Sequence, residues 1–476
     1  MKSVVESTRF YLLALGNALT AVINSAYRCW LPACLCILTF LPQLGWAEVE
    51  PQASLLEVER RIQQGDFKGA SELASAGLKV HPGEAELWNL LGIAEGELGK
   101  YQASEDAFQR GLRVAPRSAT LEENLGLIFF KQSKYLATKE HLTRAVGLGS
   151  QKPGVRFSLA ASRLRTGEAA QGLADLKSLE GALGGLSEYW EERGFAELKA
   201  DPKGAASSFR RALDIQPESL RALNGAASAA EQQGSDEEAL AYLIRAKNKA
   251  PEDVPTLMHF GVVCLRRDLG PDALTALNKA HTLQPENKSA LYLLARANVA
   301  FQNWDGALEL FQDFARKAPQ YPVTYYAMGW LEIKTGRSGD ARRDLEHCLR
   351  LAPDLADARY ELGQLDVDDN RLEAAEREFA TILQQYPSHV KANVAMADLD
   401  LRRGKLNDAQ AHLERALAED PNFGPAHYKL SQVLQRKHET ERAQEEMAIA
   451  ERLNERAKQQ SKVQLRIAIP EQLGSE

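Results

Sequence analysis

Seven prolines, Pro217, Pro251, Pro285, Pro319, Pro353, Pro387 and Pro421, recur every 34 residues without a slip, and Pro82 and Pro116 repeat the interval upstream. A fixed period of this length means one small structural unit stacked many times, so few other folds are open to the chain. Proline lacks a donor N–H and restricts the residue before it, so each one marks the end of a helix and a change of direction. In this register twelve units start at 51, 85, 119, 153, 187, 220, 254, 288, 322, 356, 390 and 424, and only the fifth is one residue short. The missing residue falls around Lys199, Ala200, Asp201 and Pro202, where a turn between two helices absorbs it.

The remaining recurrent positions predict a helical hairpin in each unit. The eighth residue is small, as in Gly92, Gly126, Ala160, Gly194, Gly329 and Gly363, and so is the twentieth, as in Ala205, Ala239, Ala273, Ala341 and Ala375. Paired small residues let two helix backbones approach. Larger apolar residues at position seven (Leu125, Phe260, Met328) and position twenty-four (Phe108, Phe209, Phe379) fill the space beside them at helical spacing. Glycines such as Gly99 and Gly336 supply the turn within the hairpin. With 44% hydrophobic but only 7% aromatic residues, the composition suits a thin continuous core rather than one large globular centre.

The segments Trp88-Asn89-Leu90-Leu91-Gly92 to Ala115-Pro116 and Tyr325-Tyr326-Ala327-Met328-Gly329 to Ala352-Pro353 resemble tetratricopeptide repeats, over residues 51 to about 457. The resemblance implies an all-α protein, a right-handed α-solenoid of about twelve stacked helical hairpins that binds protein or peptide partners. It also implies that the first helices line the concave face, with residues two, five, nine and twelve of each unit pointing into it. Those positions give Tyr292, Arg296, Tyr326, Trp330, Tyr360, Gln364, Tyr428 and Gln432 in the later units, and Leu127, Phe130, Phe157, Phe195 and Leu198 in the earlier ones. Tyr292, Tyr326 and Tyr360 would form a ladder of contact surface that loses little entropy on binding; the alternative is that tyrosines at this position pack between neighbouring hairpins. Arg221, Asn224 and the isolated Lys391 do not reproduce the carboxylate clamp of the family's chaperone adaptors.

Other function classes find little support. A net charge of −7 without a Lys/Arg stripe argues against nucleic-acid partners. Nine histidines are scattered without HExxH or another metal-ligand spacing, and no nucleophile elbow, phosphate-binding loop or dinucleotide fingerprint occurs, so no metal, cofactor or catalysis is expected. Cys264 and Cys348 are expected to be buried apolar thiols. The acidic pairs Glu191-Glu192 and Asp368-Asp369 read as solvated helix faces.

Three segments break the pattern. Residues 1–47 carry Arg28, the uncharged run from Cys29 to Ala47, and Gly45-Trp46-Ala47 before acidic Glu48, the form of a signal peptide cut after Ala47. Export to the periplasm or cell exterior is the expectation; the alternative is a retained membrane anchor within residues 10–47, with the repeats in the cytoplasm. Unit four ends in Gly181, Gly184 and Gly185 without its proline, which predicts a soft joint near 181–187 between segments 48–183 and 184–457. The polar tail, 458–476, carries alternating Val463, Leu465, Ile467 and Ile469, with the period of a strand.

Overall fold

The computed structural model describes residues 51–460; the leader and the alternating tail lie outside the described residues. Every helix-initiating register number read from the prolines is the first residue of a helix, from Pro51–Gln63 through Ser187–Glu197 and Leu220–Gln232 to Gly424–Arg436. Each is followed by a second helix, such as Tyr101–Val114 or Leu372–Gln385, giving twelve hairpins. Among the described residues the one extra helix is a single turn, Glu180–Leu183, in unit four. By compactness the chain divides into two bodies, one ending at Gly225 and the other beginning at Ala226.

The turn inside each hairpin depends on one left-handed residue. Position fifteen has positive φ in eleven units; it is glycine in six, including Gly99 and Gly336, and Ser133, Asp268, Gln302, Asn370 and His438 in the others, with φ between 55° and 62°. The reversed residue lets the next N–H reach back into the last helical turn, as when Lys100 N–H donates to the Glu95 carbonyl at 2.9 Å and Lys134 N–H to that of Phe129 at 2.9 Å. Unit five lacks this residue altogether, and that is where its missing position lies. There the Asp201 N–H bonds Glu197 directly at 2.8 Å, and the Asp201 carboxylate caps the second helix at Gly204 N–H, 3.0 Å away.

The small columns pack as expected, with an added partner. A Cβ on Gly92 would stand 2.5 Å from a ring carbon of Phe108, and one on Gly363 would stand 2.5 Å from Phe379, so position eight lies directly beneath position twenty-four. Position twenty closes on the same spot: the Ser104 hydroxyl donates to the Gly92 carbonyl at 2.6 Å, and a Cβ on Gly172 would meet the Ala160 carbonyl at 2.9 Å. Ala205, Ala239, Ala273, Ala307, Ala341 and Ala375 are fully buried there.

Several junctions between successive units are fastened by a clasp at the proline. In units two, nine, ten and eleven the fourth residue donates its side chain to the carbonyl six residues back: Trp88 to Pro82 at 2.9 Å, Tyr325 to Pro319 at 3.1 Å, Arg359 to Pro353 at 2.7 Å and Asn393 to Pro387 at 2.9 Å. In unit four Gly184 occupies the proline column, and Trp190 Nε1 still donates to its carbonyl at 2.7 Å. Arg193 and Arg211 lie 5.1 and 4.5 Å from the centroid of that indole. The stretch 181–187 therefore keeps the clasp although its proline is absent.

Candidate partner-binding face

A first helix has three jobs, which its sequence divides by face. In Lys288–Ala300, Leu291, Tyr292, Ala295 and Val299 pack with Leu308, Phe311 and Phe314 of the same hairpin, while Leu293, Leu294 and Ala297 pack with Leu277 of the preceding unit. The stripe left over carries Arg296. One unit on, the corresponding stripe of Pro322–Lys334 is Tyr326, Trp330 and Lys334, at i, i+4 and i+8. Two units on, it is Tyr360 and Gln364.

Of the eight residues assigned to this face in the later units from the sequence, six are half-buried: Arg296, Tyr326, Trp330, Tyr360, Gln364 and Gln432. Tyr428 is 45% exposed. Tyr292 is a correction. It is 1% exposed, with its ring 5.8 Å from Phe311, 5.3 Å from Phe314 and 6.3 Å from Tyr321, so it is a core residue and the tyrosine ladder loses its first rung. Edge-to-face attraction among four rings outweighs exposure of one phenol. Phe157, at 4% exposure, is core for the same purpose, whereas Phe195 is 38% exposed.

The stripe of units eight to eleven combines aromatic rings with cations. Trp330 meets Trp304 edge-on at 5.7 Å and carries the Lys334 ammonium 5.2 Å from its centroid. Tyr360 tilts against Phe379 at 5.8 Å, with Lys391 5.6 Å over its own ring. Burial, helped by Glu361, pushes the Tyr360 phenol up to about 12, and burial raises that of Tyr326. Trp304, Lys334 and Lys391 were not assigned to this surface from the sequence. Lys334 could have been, because it follows Trp330 by one helical turn.

A second correction concerns Glu191 and Glu192, expected on a solvated face. Both are 5% exposed. Arg165 and Arg221 close on Glu192 from the neighbouring units, with Arg221 Nη2 at 2.7 Å and Arg165 Nη2 at 3.1 Å, and the Ser219 hydroxyl donates to Glu191. Burial opposes ionisation of Glu192, but the two guanidiniums outweigh it and hold the carboxyl below its usual range. Arg221 also stacks 4.8 Å over Phe195. Asp368 and Asp369 are exposed, as expected.

The tetratricopeptide repeat family model matches residues 55–119, 90–153, 199–254, 266–322 and 326–390, and a second model of the same description matches 400–464. Among curated proteins no sequence matches. Similar solved structures include a tetratricopeptide repeat protein from Parabacteroides merdae ATCC 43184, 20% identical over 49% of this chain and 93% of that one, with a TM-score of 0.44. The APC/C hetero-tetramer Cut9-Hcn1 is 15% identical over 82% of this chain and 97% of that one, TM-score 0.42. YrrB, described as a TPR protein with an unusual peptide-binding site, is 17% identical over 38% of this chain and 94% of that one, TM-score 0.35. With its twelve hairpins and family-model matches over more than half its length, the chain belongs to the tetratricopeptide repeat family.

Proposed function

We propose that the protein is a non-catalytic scaffold or adaptor that holds protein or peptide partners along the inner stripe of its first helices. One observation carries this: between units eight and eleven that stripe presents the half-buried rings of Trp330 and Tyr360 beside the exposed cations Lys334 and Lys391, which the fold leaves accessible although other aromatic residues are buried. Large rigid aromatic surface beside charge is what a protein-binding face needs. The test places a photo-crosslinking amino acid at Gln364 in cells, with Lys279, exposed on a second helix, as the control position. Partner adducts are expected at 364 and not at 279; adducts equal at both, or at neither, refute the assignment of the face.

Export in an envelope-type compartment, where such a scaffold would organise a secretion or assembly complex, is supported by Arg28, the uncharged run to Ala47 and the small residues at 45 and 47. A mature N-terminus at Glu48 is the expected result of N-terminal sequencing; one at Met1 refutes cleavage. The joint at 181–187 rests on its glycines, and limited proteolysis that cuts other described turns first would count against it.

A further inference from the structure

Cations on this protein's first helices are generally matched with acids from the same or an adjacent unit. Arg165 and Arg221 bracket Glu192, Arg266 holds Glu231 and Asp236, Lys131 meets Glu97 at 3.0 Å, and Lys429 and Arg402 share Asp398. Arg296 is the departure. Its side chain is half-buried in the stripe of unit eight, yet among the described residues it has neither an ion pair nor a hydrogen bond. Burial lowers its pKa, with only Tyr292 as a charge neighbour to oppose the shift. A partly desolvated guanidinium without a counter-charge carries a cost that an incoming anion would remove. Lys334, one unit along the same surface, also lacks an ion pair among the described residues.

The surroundings select the anion. The first helix of unit eight contains no acidic residue, and that of unit nine contains only Glu332, which is 4% exposed and turned toward Asp344 of the second helix. Nothing acidic on these two helices therefore competes for Arg296, whereas Lys334 already lies within the field of Glu361 on the first helix of unit ten; the surface between the two cations is Tyr326 and Trp330.

On the reading that this face holds a partner, we infer that units eight and nine take an extended acidic peptide segment, one carboxylate seated on Arg296 and a neighbouring apolar side chain on Trp330. Guanidinium and carboxylate form the stronger class of hydrogen bond, and Arg296 supplies the fork. Unit ten, with Asp357 and Glu361 on its first helix, limits the acidic subsite to one end.

The test uses the full chain and fluorescence anisotropy with three short fluorescein-labelled peptides. One repeats glutamate and leucine along its length; in the others glutamine or lysine replaces the glutamate. The glutamate peptide is expected to bind about tenfold or more tighter than either, a difference that shrinks with salt. Arg296→Gln should reduce it to the glutamine level, and Lys334→Gln should weaken it in the same direction. Lys279→Gln should change nothing. Because Arg296 has no ion pair or hydrogen bond to lose among the described residues, its variant is expected to melt no lower than the parent, which separates lost binding from lost fold. Equal binding of the three peptides, no binding of the glutamate peptide, or full binding by Arg296→Gln overturns the inference. Crosslinks at 364 that persist unchanged in Arg296→Gln would sink the acidic subsite and leave the scaffold standing; a glutamate-selective peptide site without cellular crosslinks would do the reverse.

Discussion

Replacing Gly363 with alanine sets two effects of known sign against each other. Gly363 lies in the middle of Ala356–Asp368, where alanine would gain about 1 kcal/mol of helix propensity. Its new Cβ would stand 2.5 Å from Phe379 Cε1 and 2.9 Å from Cζ, and Phe379 is fully buried with Tyr360 on its other side. Overpacking of this kind costs about 1–3 kcal/mol, so the net effect is a loss of about 0–2 kcal/mol. Unit eight indicates how the strain would be relieved: there Ala295 stands at position eight with Phe311 at position twenty-four, whose ring meets Tyr292 nearly edge-on, at 76°, whereas Phe379 meets Tyr360 at 43°. Units four, six and eleven instead pair Ala160, Ala227 and Ala397 with Leu176, Leu243 and Leu413. Phe379→Leu should therefore rescue Gly363→Ala.

A double-mutant cycle on the full chain, read by hydrogen exchange of peptides from 356–385 so that unit ten reports on itself, should give a favourable coupling above about 0.5 kcal/mol. Gly339→Ala is the control, since nothing lies within 4 Å of its added Cβ, and it should be neutral or stabilising. Destabilisation by Gly339→Ala with none by Gly363→Ala, or additivity of the 363 and 379 changes, would refute the packing of position eight beneath position twenty-four.

Three further expectations follow from single positions. Burial, reinforced by Asp344 and Asp340, pushes the Glu332 carboxyl up to about 8, and its Oε2 has no hydrogen-bond partner. A carboxyl that the fold prefers protonated gives stability that is present below its unfolded value near 4.5 and lost as pH climbs through about 8; Glu332→Gln should melt progressively higher than the parent from pH 5 to 8, and a gap independent of pH would be wrong. At position fifteen, Gly336→Ala should cost about 1–2 kcal/mol by forcing a side chain into the left-handed region, while Gln302→Gly should be neutral or stabilising in urea denaturation. Burial pushes the thiols of Cys264 and Cys348 up to about 11 and about 12, so neither should react with a disulfide reagent at pH 8 until the chain unfolds.

What the sequence made legible was everything that recurs. The nine prolines placed the first helices that follow them on their starting residues, because a missing N–H acts the same way each time, and their period carried across the units without one placed the rest. The small columns were legible for the same reason, although the left-handed column was only half visible: Ser133 and Gln302 take a conformation that their residue types do not announce. Tyr292 and Tyr360 share position five, and only the neighbourhood separates them. Tyr292 has Phe314 and Tyr321 beside it as well as Phe311, and turns inward to complete that aromatic group. Tyr360 has Ile382 in place of Phe314 and stays at the surface of its hairpin. Glu192 was misplaced because its partners, Arg165 and Arg221, lie one unit away on either side, a spacing that matters only once units are stacked. Periodic positions thus report the scaffold, whereas charges report through whether an opposite charge stands one unit away. By that measure Arg296, half-buried and without an ion pair among the described residues, is where a partner of the right chemistry would recognise this unit, rather than at the repeated tyrosine.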